Sequence, residues 1–149
     1  MKRKAHLLLG VGAVLAILRP SINDVIIYIV LAALGSLVPD LDLRFKHRKI
    51  LHNVLLSPII TLGLVLALSK VLTLNPICMY LAIIIAWFSH IIGDLFTIGG
   101  VALLWPLKSK RMRILKLRYD HPIVSTIGVT LGVMGIAIWL YLKILKGTI

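Results

Sequence analysis

The stretch of residues 37–53, "LVPDLDLRFKHRKILHN", places two aspartates, two histidines and four basic side chains directly after a long apolar run. The chain around it has 149 residues, of which 60% are hydrophobic, and its mean hydropathy is +1.03. A soluble domain of this length carries more charge and shorter apolar runs. We therefore expect an integral membrane protein in which this stretch gathers polar side chains at one place.

Five apolar runs predict an all-α polytopic membrane bundle of four to five helices, folded as a single domain over residues 1–149. The last two runs are long enough to cross a hydrocarbon core of about 30 Å, and the third just reaches. The first two are short and could form either a tight spanning hairpin or a re-entrant one. A cleaved signal peptide is disfavoured, since Arg19-Pro20 reads as a turn and no cleavage site follows the first run. The runs cover residues 5–18, 25–38, 50–68, 77–98 and 123–142.

The basic side chains indicate how the bundle is oriented. If the N-terminus lies inside and each run crosses once, all but four of the 17 Lys and Arg residues fall on the inner side. Basic segments mark the cytoplasmic side of a membrane protein. We therefore expect a multi-pass protein of the inner (cytoplasmic) membrane with a cytoplasmic N-terminus. The same rule accounts for the net charge of +12, so no specific nucleic-acid partner is expected.

This topology also collects the titratable side chains. All five histidines and four of the five aspartates fall at or near the inner surface, although they are spread over the whole chain. A single polar site facing the cytoplasm would produce that distribution. The one cysteine, Cys78, lies in an apolar run, which excludes a disulfide framework and disfavours a cysteine-based zinc site.

His90 and Asp94 form the sharpest candidate pair. They are four residues apart in a helical run, so both side chains project from one face. Ala82 and Ala86 continue this face and are small enough for close helix packing. A carboxylate and an imidazole in a membrane helix are costly unless they are paired, hydrated or bound to a metal ion. The alternative is a hydrogen-bonded His–Asp pair with a structural role.

The opening stretch supplies further candidates. Asp40 and Asp42 follow a proline two residues apart, and both could direct oxygens at one cation, or one could orient a histidine. Ordinary turn chemistry is the alternative. We expect His52 on the first turn of the third helix and His47 in the preceding loop, where it could equally be a solvated member of a basic segment.

Imidazole and carboxylate ligands without thiolates suit zinc, or manganese or iron, better than calcium or copper(I). Such a site can hold one ion or two, lower the pKa of a bound water and polarise a carbonyl or phosphoryl oxygen. Arg44, Lys46 and Arg48 lie nearby in the sequence and favour an anionic substrate. The composition of the candidate site is therefore that of a hydrolytic metal centre.

The C-terminal part of the chain carries structural signals. The basic segment 105–119 interleaves basic and apolar residues, which predicts an interfacial strip against anionic headgroups and makes membrane lipid an expected partner. Asp120 or His121 is expected to cap the last helix, with Pro122 at its first position. The pair Gly128 and Gly132 predicts a close helix contact.

In their order, these motifs resemble the YdjM-like family of membrane-bound proteins, which are described as metal-dependent hydrolases. The resemblance implies a compact helical membrane protein with a His/Asp metal site. It is carried by "AHLLLGVGAVLA" (5–16), "LGSLVPDLD" (34–42), "HRKILHN" (47–53) and "FSHIIGDLFTIGGVALLWPL" (88–107). The metal ligands that it implies are His6, Asp40, His52, His90 and Asp94.

More distantly, the order of these residues is similar to part of the zinc site of zinc-dependent phospholipase C, which implies phosphoester hydrolysis. The chain departs from the family's HRxxTHS-like motif at Leu51 and Asn53, and it has a single HxxxD. We expect a hydrolase of an anionic, phospholipid-like ester. Asp42 or His47 would act as general base or orient a ligand, and Arg48 would bind the phosphate.

The alternative is a non-catalytic membrane protein, either a metal-ion carrier or a structural, partner-binding module. A carrier needs polar groups that continue to the opposite face, and the outer halves of the predicted helices offer only scattered hydroxyls such as Thr61 and Ser125. A structural role predicts a polar cluster without metal and without a pocket open to lipid or cytosol. The oligomeric state is left open by the sequence.

Overall fold

A computed structural model describes residues 1–45, 51–118 and 121–145, with the backbone alone for residues 42–45. Within these ranges the regular elements are all helical, which confirms the predicted fold class, and two isolated β-bridges are the only extended pairings. The elements are α1 (Arg3–Leu18), α2 (Val25–Leu37), a 3-10 helix (Val38–Phe45), α3 (Leu56–Leu68), α4 (Pro76–Leu95) and α5 (Pro122–Leu145).

Local signals set the helix ends. Arg19 closes α1 with a left-handed backbone, at φ 50°. Asn75 caps α4 by accepting the backbone N–H two residues further on, at 2.8 Å, and Pro76 occupies the first helical position. α5 begins in the same way at Pro122, where His121 Nδ1 accepts the N–H two residues further on at 3.3 Å. The predicted cap of α5 is therefore present at His121.

The lengths of the helices divide them into two groups. α4 and α5 are long and apolar enough to cross a bilayer, as predicted for the last two runs. α3 has 13 residues, about 20 Å at 1.5 Å per residue, which is less than a hydrocarbon core of about 30 Å. The expectation that the third run just reaches is therefore wrong for the helix itself. The helix begins at Leu56 because Asn53 Oδ1 accepts the Leu56 N–H at 2.6 Å and ends the preceding bend.

α4 ends at Leu95, earlier than the apolar run that predicted it. Thr97 ends the helix, since its N–H and its hydroxyl both donate to the Asp94 carbonyl, at 3.0 and 2.8 Å. The chain then folds back over this end of the bundle as an irregular segment, in which Val101 and Met112 exchange two backbone hydrogen bonds. The basic strip predicted at 105–119 lies in this segment up to residue 118, and its Lys and Arg side chains are exposed. Its contact with lipid headgroups stays a prediction.

α1 lies at the centre of the bundle, against α2, α4 and α5, while α3 packs mainly on α4. The contact between α1 and α5 joins backbone to backbone, because a Cβ on Gly12 would overlap the carbonyl of Gly132. The predicted contact through Gly128 and Gly132 is thereby confirmed. Ala82 and Ala86 are fully buried, as expected for the small face of α4.

Successive helices alternate in direction, so the start of α1, the end of α2, the start of α3 and the end of α4 meet at one end of the bundle. The start of α5 lies there too, since the Lys2 N–H donates to Ser125 Oγ at 3.5 Å. The expectation that placed Ser125 in an outer half is therefore wrong. We call this the polar end of the bundle.

Candidate metal centre

Three imidazoles converge on one carboxylate at the polar end. Asp94 Oδ1 lies 3.1 Å from His6 Nε2, and Asp94 Oδ2 lies 3.4 Å from His52 Nε2 and 3.6 Å from His90 Nε2. His90 Nε2 is also 3.6 Å from Asp40 Oδ1. All five residues that the family resemblance implies as ligands therefore lie together, although they come from α1, the 3-10 helix, the bend before α3, and α4.

The centre is buried on nearly every side. His52 and His90 are 0% exposed, His6 is 2% exposed and Asp94 is 3% exposed. The Asp40 side chain is 12% exposed, and its Oδ2 lies 3.7 Å from Nε of the exposed Arg3. A buried carboxylate among imidazoles is expensive unless its charge is balanced, and the Met1 amino group, 3.4 Å from Asp94 Oδ1, contributes to that balance. Asp40 marks the edge at which the centre approaches solvent.

His90 is oriented by a backbone carbonyl. Its Nδ1 lies 2.8 Å from the Ser36 oxygen, and because a carbonyl can only accept, Nδ1 carries the hydrogen. Nε2 then presents a lone pair to the oxygens of Asp40 and Asp94, and it has no hydrogen-bond partner. A second proton on His90 would place an imidazolium 3.6 Å from each carboxylate, which is an ion-pair distance and longer than a normal hydrogen bond. A metal ion between the three groups would use the Nε2 lone pair directly, and metal-binding histidines are commonly oriented by a carbonyl in this way.

The spacing of the donor atoms fits a metal ion. Ligands about 2.0–2.1 Å from a tetrahedral zinc ion are about 3.3 Å from one another, and the separations around Asp94 are 3.1–3.6 Å. Two triads have donor atoms mutually within 4.8 Å, and they share His90. Because His90 has one free lone pair, it can bind one ion at a time. Among the described residues the two triads therefore cannot both use His90 at once, and the number of ions stays a prediction. The triads are His6, His90 and Asp94, and Asp40, His52 and His90.

Gly93 makes room for this arrangement. The rings of His6 and His90 are stacked at 3.8 Å with an angle of 18°. A Cβ on Gly93 would lie 3.1 Å from His6 Cε1, closer than side chains normally approach. The sequence reasoning did not single out Gly93. A residue without a side chain on the same helical turn as two candidate ligands is the signal that could have found it.

The position of His52 corrects one expectation. It lies in a bend four residues before α3, and not on the first turn of that helix. The bend is held in place by the Trp87 indole, which donates to the Leu51 carbonyl at 2.9 Å, and by Asn53, which caps α3. Asn53 is one of the departures from the family motif. Its side-chain oxygen accepts the first backbone N–H of α3.

The remaining predicted residues lie outside the described part of the chain. These are the side chain of Asp42 and the whole of His47 and Arg48, whose predicted catalytic roles stay predictions. His121 caps α5 and belongs to neither ligand triad. The backbone carbonyl of Ser36 was missed by sequence reasoning, because a carbonyl carries no signal in residue identity.

The family model described as YdjM inner membrane protein matches residues 1–147. The chain belongs to this family. The match covers every element of the fold and confirms the resemblance read from the motifs, including that the chain is an inner membrane protein. The comparisons with curated proteins and with solved structures found no match.

Proposed function

We propose that this protein is a metal-dependent hydrolase that cleaves a phosphoester in an anionic, phospholipid-like substrate at the cytoplasmic face of the inner membrane. One divalent ion, zinc in preference to manganese or iron, would be bound by ligands drawn from five candidate residues. The observation that carries the proposal is the buried lone pair of His90, which faces two carboxylates and has no hydrogen-bond partner. The five candidates are His6, Asp40, His52, His90 and Asp94.

When bound, the ion lowers the pKa of a water molecule and polarises a phosphoryl oxygen. Asp94 and the histidines would hold the ion from the buried side, and Asp40 would approach it at the open edge. Arg3 lies beside Asp40 at that edge, where its exposed guanidinium is available to bind a substrate phosphate. Asp42 or His47 remains the proposed proton acceptor, and Arg48 a further phosphate ligand.

The charge of the polar end supports a cytoplasmic orientation. The segment that folds back over this end exposes six basic side chains, and no acidic side chain occurs among its described residues. Basic residues concentrate on the cytoplasmic side of membrane proteins. The six are Lys108, Lys110, Arg111, Arg113, Lys116 and Arg118.

A metal-ion carrier is the second candidate, and one observation favours it. Ser57 and Thr61 lie one turn apart on α3, are fully buried, and have hydroxyls without a hydrogen-bond partner. They extend polar groups from the His52 bend into the bundle. Beyond Thr61, however, the described residues offer no buried charged or imidazole group with which a path could continue. We therefore favour a site that holds its ion.

The experiment that tests the function combines metal content with hydrolysis. Protein purified in lipid nanodiscs is expected to contain about one zinc, manganese or iron ion per chain by mass spectrometry, and to release phosphate from phosphatidic acid or from a soluble phosphomonoester. Asp94→Asn is expected to lose the ion and to lower hydrolysis about 100-fold or more. Asp24→Asn is the matched control, because Asp24 bonds the Ser21 hydroxyl at the start of α2, away from the polar end.

Three results would contradict the proposal. One is wild-type protein without a bound divalent ion after purification in its presence. Another is an Asp94→Asn variant that keeps the ion. The third is ion-loaded protein that hydrolyses neither ester but moves the ion across a liposome membrane, which would establish the carrier instead.

A further inference from the structure

An apolar cavity of about 230 Å³ lies between α1, α4 and α5, against the folded-back segment. Among its lining side chains only Ser89 is polar, and its hydroxyl donates to a carbonyl of its own helix at 2.8 Å. A cavity of about 150 Å³ is enough to bind benzene. This one is large enough for a segment of a hydrocarbon chain. Its walls include Leu9, Phe96, Val124, Ile127 and Leu131.

The cavity opens on the outer surface of the bundle. Ile92, Ile123 and Ile127 line it, and each is about half exposed. They belong to α4 and α5, the two helices long enough to cross the bilayer. Because the outer faces of such helices contact lipid tails, a molecule can enter this cavity sideways from the hydrocarbon core.

The same cavity adjoins the metal centre. Met1 and Gly93 line it, and a Cβ on Gly93 would meet both the Met1 methyl, at 2.9 Å, and His6 Cε1, at 3.1 Å. The Met1 amino nitrogen lies 3.4 Å from Asp94 Oδ1. The Met1 side chain and the edge of the His6 ring therefore lie between the cavity and the carboxylate of Asp94.

The fourth wall of the cavity is formed by the basic segment. Leu115 and Leu117 line the cavity, and exposed Lys116 lies between them. Arg113 is also exposed and donates to the Ile98 carbonyl at 3.4 Å. Basic side chains beside an apolar cavity at a membrane surface suit a ligand with a hydrocarbon tail and an anionic head.

We infer that this cavity, the acyl pocket, holds one acyl chain of an anionic membrane lipid whose phosphate headgroup reaches the metal centre. The inference rests on the proposed function for the chemistry at the centre. It names the substrate class as a lipid presented from within the bilayer, and it makes the pocket a determinant of specificity.

The test uses phosphatidic acid with a photoreactive diazirine on its acyl chain, in nanodiscs that contain the full chain. Peptide mapping is expected to place the label on the walls of the acyl pocket. Ile127→Trp fills the pocket mouth and is expected to lower that labelling about 10-fold. Ile138→Trp is the matched control, since Ile138 lies on the same helix with 46% exposure but does not line the pocket. Equal labelling of the two variants, or labelling spread evenly along α5, would overturn the inference.

A second measurement separates this inference from the proposed function. Ile127→Trp is expected to lower hydrolysis of phosphatidic acid about 10-fold, while hydrolysis of a soluble phosphomonoester, which has no acyl chain to place in the pocket, is expected to change little. Asp94→Asn is expected to lose both activities and to keep the photolabel in the pocket. Pocket labelling without any hydrolysis would refute the proposed function and retain the acyl pocket. Hydrolysis of both esters that is insensitive to Ile127→Trp, without pocket labelling, would refute the pocket alone.

Discussion

The two ends of the bundle are built from the same apolar helices but treat polar side chains differently. At the polar end, three histidines and an aspartate are buried and surround one another. At the opposite end, Asp24 is near the surface and bonds a neighbouring serine hydroxyl at 2.7 Å, and the buried Trp139 indole donates to the Pro20 carbonyl at 3.0 Å. Each of these polar groups at the opposite end is satisfied by a single hydrogen-bond partner.

This difference identifies what needs an explanation. A local pair such as Ser21 and Asp24 has a structural role and requires nothing more. The centre at the polar end joins residues up to 88 positions apart and still leaves the His90 lone pair without a partner. Burial without satisfaction costs free energy, so these side chains are the ones that could hold a metal ion.

The largest expected effect comes from removing that lone pair. His90→Ala is expected to lower metal affinity by about 100-fold or more, because His90 belongs to both ligand triads. His121→Ala is the matched control at the same end, since His121 caps α5 and is in neither triad. Isothermal titration with zinc measures both variants. If the His90→Ala and His121→Ala variants bind zinc with equal affinity, the histidines of the polar end are buried but do not bind the ion.

The packing that brings α1 to the centre is tested by two glycines. Gly132→Ala is expected to destabilise the protein by about 1–3 kcal/mol, because the new Cβ would overlap the Leu8 backbone. Gly63→Ala, on α3, has open space around it and is expected to stabilise by up to about 1 kcal/mol. Reversible unfolding in denaturing detergent measures both. A Gly132→Ala protein as stable as Gly63→Ala would exclude a tight contact between α1 and α5.

The sequence predicted those parts of the centre that depend on local periodicity and on charge. The spacing of His90 and Asp94 places them on one helical face, and the distribution of basic residues predicted that distant polar groups meet at one end. The start of α3 could not be predicted in this way. Residues 50–55 belong to the same apolar run as the helix that follows, so hydropathy does not indicate that the helix begins only at Leu56. Ser36 acts through its backbone carbonyl, which has no signature in the sequence. Gly93 acts through the lack of a side chain, and only its place on the same turn as His90 and Asp94 could have indicated that role.

A smaller effect is expected from Gly93, where the centre meets the acyl pocket. Gly93→Ala places a methyl group against His6 Cε1 and the Met1 methyl. The Met1 side chain is flexible and can move away from the new methyl group. The His6 ring is bonded to Asp94 and stacked on His90, so any shift of this ring disturbs the contacts of a candidate ligand. We expect about 10-fold weaker zinc binding with little change in stability. Unchanged zinc affinity in titration would mean that Met1 alone absorbs the methyl group.

The smallest effect compares two helix caps at opposite ends of the bundle. Asn53 caps α3 beside His52, and Asn75 caps α4 away from the centre. Replacing either by alanine is expected to cost about 1 kcal/mol of unfolding free energy, because one backbone N–H loses its acceptor. Only Asn53→Ala is expected to weaken zinc binding as well, by a few-fold, since the bend that carries His52 is loosened, and Asn53→Ser is expected to restore it. If both alanine variants weaken zinc binding equally, the loss follows global stability, and the cap has no separate role in positioning His52.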